Sequence, residues 1–412
     1  MALVLPFKAV RPAREFAAQV AALPYDVMSR EEGRKTVAGK PWSFLRVEKS
    51  EVDVPEETKD GDNLIYQKAR ENFVRMIAEK VMIQDETPHF YIYRQQMGKR
   101  IQTGIVGCVS AAEYDAGKIK KHEFTRRDKE EDRINHVNTV GAQTGPVFLT
   151  YKANPGLNEI VSEITARRPE YDFTADDGFI HKSWLVDDLN QIEQIRNQFA
   201  DIDSLYIADG HHRAAAASSV AKMRRSCDCD NSGNKEYEKV LAVLFPHDEL
   251  YVMDYNRAVE DLNGLSKDEF LEKISSRFII EKNFQAKLPR QFHDFGMYLQ
   301  GEWYQLTIKQ GAFDDSDPVK RLDASILQEC LLSPVLRIND PRTDKRIKFI
   351  GGIRGMAELE KLVDKDGFAV AFSLYPTAIE QVMQVADAGA IMPPKSTWFE
   401  PKLRSGLFVH KI

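Results

Sequence analysis

Cysteine is scarce in this 412-residue chain: Cys108, Cys227, Cys229 and Cys330 are the four, unevenly spaced, and they outline no disulfide framework. Cys227-Asp228-Cys229 is one close pair, which offers too few ligands for a structural zinc site. No apolar run approaches the about 18 residues of a membrane span and no secretory leader is read, so the expectation is a cytoplasmic protein without membrane contact. An excess of positive charge is also missing. Lys and Arg total 57 against 63 Asp and Glu, a formal net charge of -6, which argues against nucleic acid as a bulk electrostatic partner. There is no internal repeat, and no Walker A, Gly-x-Gly-x-x-Gly or Gly-x-Ser-x-Gly motif.

What remains is an ordinary globular composition, 43% hydrophobic and 29% charged, long enough for two or three domains with real cores. Within it one stretch stands out. Residues 205–208 form an apolar run of strand type, Asp209-Gly210 breaks it, and His211-His212-Arg213 opens a run of alanines that are strong helix formers. The first turn of a helix presents unpaired N–H groups and positive partial charge. Two imidazoles and a guanidinium added there suit an anion, most simply a phosphate. Asp209, at the strand end, could hold a metal ion or one catalytic proton. The bland alternative is a capped strand-to-helix turn with surface histidines.

A second segment, residues 117–133, carries seven Lys/Arg and five Asp/Glu. A mixed charge run is usually a solvated helix face. His122-Glu123, beside Lys120, Lys121 and Thr125, places one carboxylate among cations, which also suits a base working next to phosphates. Asp26 in Pro24-Tyr25-Asp26-Val27 reads as a cap that could serve chemistry, and Asn256-Arg257 as a pair that orients a substrate or ties a loop. Near the end, Pro393-Pro394-Lys395-Ser396-Thr397 is a proline-stiffened loop with compact polar groups, either a clamp for a small polar ligand or a docked tail.

The surrounding pattern predicts an α/β (α+β) chain in three parts. These are a lead domain over residues 1–95, a phosphate-binding core over 96–260 and a C-terminal α/β domain over 261–412. Strands are expected at 2–10, 41–47, 90–94, 101–110 and 145–151, with 90–94 and 101–110 forming a hairpin. An amphipathic helix is expected over 62–80, with Leu64, Ile65, Ala69, Phe73 and Ile77 on one face. The helix after Arg213 is expected to reach Met223, followed by a charged loop over 224–236.

Asp209-Gly210-His211-His212-Arg213 resembles the phosphate box of the ParB/sulfiredoxin-like superfamily, and is most similar to its free-serine kinases. Those kinases carry a His-Glu pair upstream, which His122-Glu123 matches in type and order, and a Pro-Lys-[Ser/Thr]-Thr element, which Pro394 to Thr397 resembles. The chain as a whole is also similar to a large bacterial family long labelled as being of unknown function. Residues 1–95 have no counterpart in the short kinases.

The resemblance implies a kinase that converts free L-serine to O-phospho-L-serine with Mg²⁺ and ATP, ADP or pyrophosphate as donor. In that reading Glu123 is the base, assisted by His122. Gly210, His211, His212 and Arg213 hold the donor phosphates. Asp209, with Glu123, binds Mg²⁺, and Lys395, Ser396 and Thr397 hold the amino acid. Phosphoryl transfer needs positioning, charge neutralisation and a base more than covalent help, which these residue types can supply. A ParB-like nucleotide- or nucleic-acid-binding protein is the alternative, although no basic helix-turn-helix is read. A sulfiredoxin-like reductase would need cysteine where His211 or His212 stands.

Overall fold

The computed structural model describes residues 2–228 and 235–412, so Cys229 and the middle of the charged loop expected at 224–236 lie outside the described residues. The chain forms two compact units, residues 1–250 with 401–412, and residues 251–400.

The first unit is organised around a mixed sheet, nine-stranded among the described residues. Its order is Ile119–Lys120, Leu205–Asp209, Val147–Tyr151, Lys239–Pro246, Arg100–Ser110, Phe90–Met97, Ile180–Val186 and Tyr171–Thr174, with Val4–Leu5 added against Arg100–Ser110. The expected hairpin is Phe90–Met97 with Arg100–Ser110. Leu205–Asp209 runs parallel to Ile119–Lys120 and antiparallel to Val147–Tyr151, with a register irregularity between Ile207 and Asp209. That irregularity lies at the end of the strand that delivers Asp209, where a bulge re-aims a side chain.

Behind the strand, the helix His211–Cys227 lays Ala214, Ala215, Ala217 and Ala221 into the core that also holds Leu149, Leu205, Ile207 and Leu244. Methyl side chains let the helix axis approach the sheet closely, and the helix runs four residues beyond Met223. Gly210 sits at φ 91°, in left-handed space, and a Cβ there would meet the Val147 Cα at 3.5 Å. Glycine is the residue that takes this turn without strain.

A second core within the same unit joins Val10, Val20, Phe44, Leu45, Val47, Ala69, Phe73, Met76 and Val409. Here two expectations are corrected. Residues 41–47 contain no strand; Leu45–Glu48 is one turn of α-helix, and Phe44, Leu45 and Val47 are all buried. So short an apolar run carries no usable period, and burial on all sides suits either conformation. The strand expected at 2–10 is two pieces, Val4–Leu5 and Ala9–Pro12, which join different sheets. The helix expected over 62–80 is Asn63–Ala78, with the Asp62 carboxylate accepting from the Leu64 amide. Its buried stripe is Ile65, Ala69, Phe73 and Met76, while Leu64 is 45% exposed.

The second unit carries a six-stranded antiparallel sheet in the order Phe278–Lys282, Glu302–Ile308, Asp294–Leu299, Val370–Leu374, Tyr255–Val259 and Ile347–Gly351. The helix Lys267–Ser275 packs Phe270 and Ile274 into its core and opens with a capping box between Ser266 and Glu269. Tyr251–Met253 pairs with Trp398–Glu400, so the proline-rich loop at 393–397 leads directly into a strand of this unit. No helix among the described residues is long and apolar enough to cross a membrane.

Candidate functional site

Two segments far apart in sequence meet at the end of Leu205–Asp209. Residues 121–126 follow the short strand Ile119–Lys120, whose pairing with Leu205 and Tyr206 draws them alongside the Asp209-Gly210 turn. The His122 backbone amide donates to Nε2 of His211 at 3.5 Å, and the Arg126 amide donates to Nε2 of His212 at 3.0 Å. The rings of His122 and His211 pack edge to face with centroids 4.5 Å apart. Oε2 of Glu123 lies 3.9 Å from Nδ1 of His211. The His-Glu pair and the Asp-Gly-His-His box are therefore one cluster.

Its members differ in electrostatic state. His122 and His211 are buried, and neither ring nitrogen of His122 finds a hydrogen-bond partner of normal geometry, although the Ile207 backbone lies close enough to influence its titration. Burial pulls the His122 pKa down to about 4, against the opposing pull of Asp209. Burial likewise pushes His211 well below the ordinary imidazole value, helped by His122. Both rings are neutral at pH 7. Glu123 is about a third exposed and reaches solvent from the edge of the cluster.

Asp209 has a different partner. Partial burial works against its charge, but the Lys402 ammonium 2.8 Å from Oδ2 outweighs it, and the Gly210 amide donates to Oδ1 at 2.7 Å. The carboxyl is held below its usual range and is ionised at any ordinary pH. Lys402 carries no local signal in the sequence: it arrives from 193 residues away, in the segment 401–412 that returns to the first unit.

Arg213 turns inward. Its guanidinium donates to the Pro146 carbonyl at 3.2 Å and to Oε2 of Glu48 at 3.4 Å, and it lies 5.6 Å from the Tyr25 ring centroid. Arg133 stacks on the same ring at 4.0 Å. Glu48, 2% exposed, also accepts from the Thr144 hydroxyl at 2.5 Å. Burial opposes its ionisation, but Arg213, His136 and Arg133 together hold its pKa below the usual value. A small cavity lined by Glu48, Arg133, His136, Thr144 and Arg213 lies within this group. The sequence reading assigned Arg213 to phosphate and overlooked Glu48 and Arg133. In the structure Arg213 is engaged by Glu48, because a buried guanidinium needs a buried counter-charge. Tyr25, from the Pro-Tyr-Asp-Val turn, forms one wall of that group.

The expected Mg²⁺ pair, Asp209 with Glu123, is not the set of ligands that the structure gathers. Asp209 is committed to Lys402 and Gly210, whereas the ligand atoms within 4.8 Å of one another belong to His122, Glu123 and His211. Two imidazoles and one carboxylate are not the all-oxygen set of donors that Mg²⁺ prefers.

Lys395, Ser396 and Thr397 lie in the second unit. The Ser396 hydroxyl donates to the Pro393 carbonyl at 2.7 Å, and the Thr377 hydroxyl donates to the Ser396 carbonyl at 2.8 Å. Arg257 donates to the Lys395 carbonyl at 3.0 Å, and Lys395 is exposed with φ 56°. The loop is thus a built turn, tied from below by Arg257.

Residues 4–325 match the family model described as "Protein of unknown function (DUF1015)". No curated protein matches the chain. Among solved structures, a conserved hypothetical protein from Pyrococcus furiosus is 14% identical, with 75% of this chain and 96% of that one covered and a TM-score of 0.36. A free serine kinase in complex with AMP is also 14% identical, with 75% and 93% covered and a TM-score of 0.36. SbnI with a C-terminal truncation, from Staphylococcus aureus, is 11% identical, with 74% and 86% covered and a TM-score of 0.39.

Proposed function

We propose that this chain, which belongs to the DUF1015 family, is a phosphotransferase that acts on the hydroxyl of a small amino acid, free L-serine being the acceptor its motifs imply. The observation that supports this reading is the meeting of His122-Glu123 with Asp209-Gly210-His211-His212 in one cluster, although 89 residues separate His122 from His211. The two segments are the halves of one motif resemblance. On the same ground the core over 96–260 is assigned to the ParB/sulfiredoxin-like type.

In this reading the start of the helix His211–Cys227 faces the donor phosphates with its first-turn amides and positive partial charge, and His212 stands beside it. Glu123 accepts the proton of the attacking hydroxyl from the exposed edge of the cluster. His122 and His211, buried and neutral, flank that carboxylate. Asp209, locked to Lys402, holds the turn rather than the ion. Arg213 acts from behind: with Glu48 it positions the first turn of the helix. A divalent ion carried by the donor phosphates supplies charge neutralisation in such transfers. Lys395, Ser396 and Thr397 are assigned to the carboxylate and amino ends of the acceptor, and the donor is ATP, ADP or pyrophosphate.

The test is incubation of the purified chain with L-serine, Mg²⁺ and each donor in turn, with O-phospho-L-serine read by ³¹P NMR and mass spectrometry. Product with one donor is the expected result. No product with any of the three removes serine kinase activity from consideration.

A further inference from the structure

His122, Glu123 and His211 place two imidazoles and a carboxylate around one point, with every ligand atom within 4.8 Å of the others. We propose that these three residues form a binding site for a transition-metal divalent cation of the zinc or cobalt type. Two ligands of one such ion, each bound at about 2.0–2.2 Å, are separated by roughly 3–4.2 Å. The 3.9 Å between Nδ1 of His211 and Oε2 of Glu123 already falls in that range. No separation in the group exceeds that range by more than about 0.6 Å, a distance that a small change of side-chain torsion covers.

A second, independent observation points the same way. His122 is 2% exposed, yet neither of its buried ring nitrogens has a hydrogen-bond partner of normal geometry, the Ile207 backbone being a polar neighbour near enough to influence the ring. An unsatisfied buried polar atom costs free energy, and native structures rarely leave both nitrogens of one ring in that state. A cation between the three residues gives a nitrogen of His122 its partner. The bland alternative is a pair of core histidines packed edge to face, which explains the 4.5 Å ring contact but not the unsatisfied nitrogens.

The donor set determines the class of ion. Imidazole suits zinc and its first-row transition-metal neighbours, whereas magnesium and calcium take oxygen donors. Three protein ligands also leave at least one position for water or a substrate oxygen. Binding at Nδ1 of His211 requires Nε2 to surrender the amide contact from His122, which at 3.5 Å is the weakest hydrogen bond in the cluster. In the phosphotransferase reading, an ion here would compete with the role of Glu123 as base. The ion site itself does not depend on that reading.

Cobalt(II) titration of the full chain tests the site, because its visible d–d bands report the ligand set without any turnover. Cys227→Ser and Cys229→Ser in the background keep thiolates out of the signal. The expected result is one Co²⁺ per chain, displaced by Zn²⁺ and not by equal Mg²⁺. His122→Ala and His211→Ala should each weaken binding at least ~10-fold. Asp209→Asn should cost less than either. Glu123→Gln, which keeps the side-chain shape, decides the matter if the histidine variants fail to fold: it should shift the bands and weaken binding. Less than half an equivalent of Co²⁺ bound, displacement by Mg²⁺ as effective as by Zn²⁺, or binding indifferent to Glu123→Gln would overturn the site. Phosphoserine formed by a chain that binds no Co²⁺ overturns the ion site alone. Co²⁺ bound by a chain that forms no phosphoserine overturns only the kinase reading.

Discussion

Arg213 and His211 are two residues apart in the first turn of one helix, and they end in opposite surroundings. Arg213 enters a closed group of charges in which Glu48, Arg133, Thr144, Pro146 and Tyr25 each answer a neighbour. His211 enters a group in which neither nitrogen of the adjoining His122 has a hydrogen bond of normal geometry and Glu123 reaches solvent. The first group spends its polar atoms on itself and can hold the helix start in place. The second leaves the His122 ring without a well-formed partner and opens to solvent at Glu123, as a site that receives something from outside must. Charge and residue type alone do not separate scaffold from site here; saturation does.

The strongest way to break this comparison is to change a residue on the open side. Glu123→Gln keeps the shape of the side chain and removes its basicity. If Glu123 is the base, serine phosphorylation falls by ~10²–10⁴-fold, while the unfolding temperature stays near that of the parent chain. Near-parental turnover would move the base elsewhere in the cluster.

The saturated side should respond in the opposite manner. Glu48→Gln removes the carboxylate that pairs with the buried Arg213 guanidinium, while Arg133 keeps its own partner, Asp132. Removing one partner of a buried ion pair typically costs about 3–5 kcal/mol of stability, to be read from urea unfolding. A loss below about 1 kcal/mol would mean that the group tolerates an unbalanced charge and is not the anchor described above.

How much of this could be read in advance depends on the range of the signal. The strand, turn and helix at 205–227 were legible because three local signals coincide: an apolar β-type run, Asp-Gly, and a block of alanines. The meeting of Glu123 with His211 was anticipated only through the motif resemblance, since no local rule brings residue 123 to residue 211. The direction of Arg213 was not legible at all. It is set by Glu48, 165 residues away, at the end of a turn of helix that overlaps the strand expected at 41–47. Leu64 failed for a smaller reason: the stripe on Asn63–Ala78 is rotated by one position, so Met76 takes the buried place assigned to Ile77. Lys402 escaped notice because a lysine near the end of a chain has no pattern of its own.

The saturated group also has a pH signature. Burial, with Arg133, pulls the His136 pKa down to about 4, against Glu48 and the carbonyl of Val47, which its Nε2 meets at 2.9 Å. The folded chain therefore resists protonating a ring that the unfolded chain protonates below about 6.5. The stabilisation is fully present above pH 6.5 and is lost as the pH falls through the window from 6.5 to about 4. Its upper bound is on the order of 3 kcal/mol. Urea midpoints measured across that window should fall less steeply for His136→Gln than for the parent, and parallel curves would show that His136 takes no part in acid unfolding.

The smallest expected effect lies between the two groups, at Asp209 and Lys402. Lys402→Met keeps the apolar stem and removes the ammonium 2.8 Å from Oδ2. The Lys402 side chain is 13% exposed and that of Asp209 41%, so solvent screens the pair and the stability cost should stay at or below about 1 kcal/mol. The informative readout is the titration of Asp209 itself. In the parent, Lys402 and the Gly210 amide hold the carboxyl ionised below the ordinary range, so whatever stability the pair contributes is present above about pH 4 and lost only in stronger acid. In the variant the Gly210 amide remains, burial meets less opposition, and the carboxyl should titrate at a higher pH, followed by the ¹³C shift of its side-chain carbon. An unchanged titration would mean that the Gly210 amide suffices. Lys402 would then be a neighbour of the turn, and the ionised state of Asp209 would be a property of residues 209 and 210 alone.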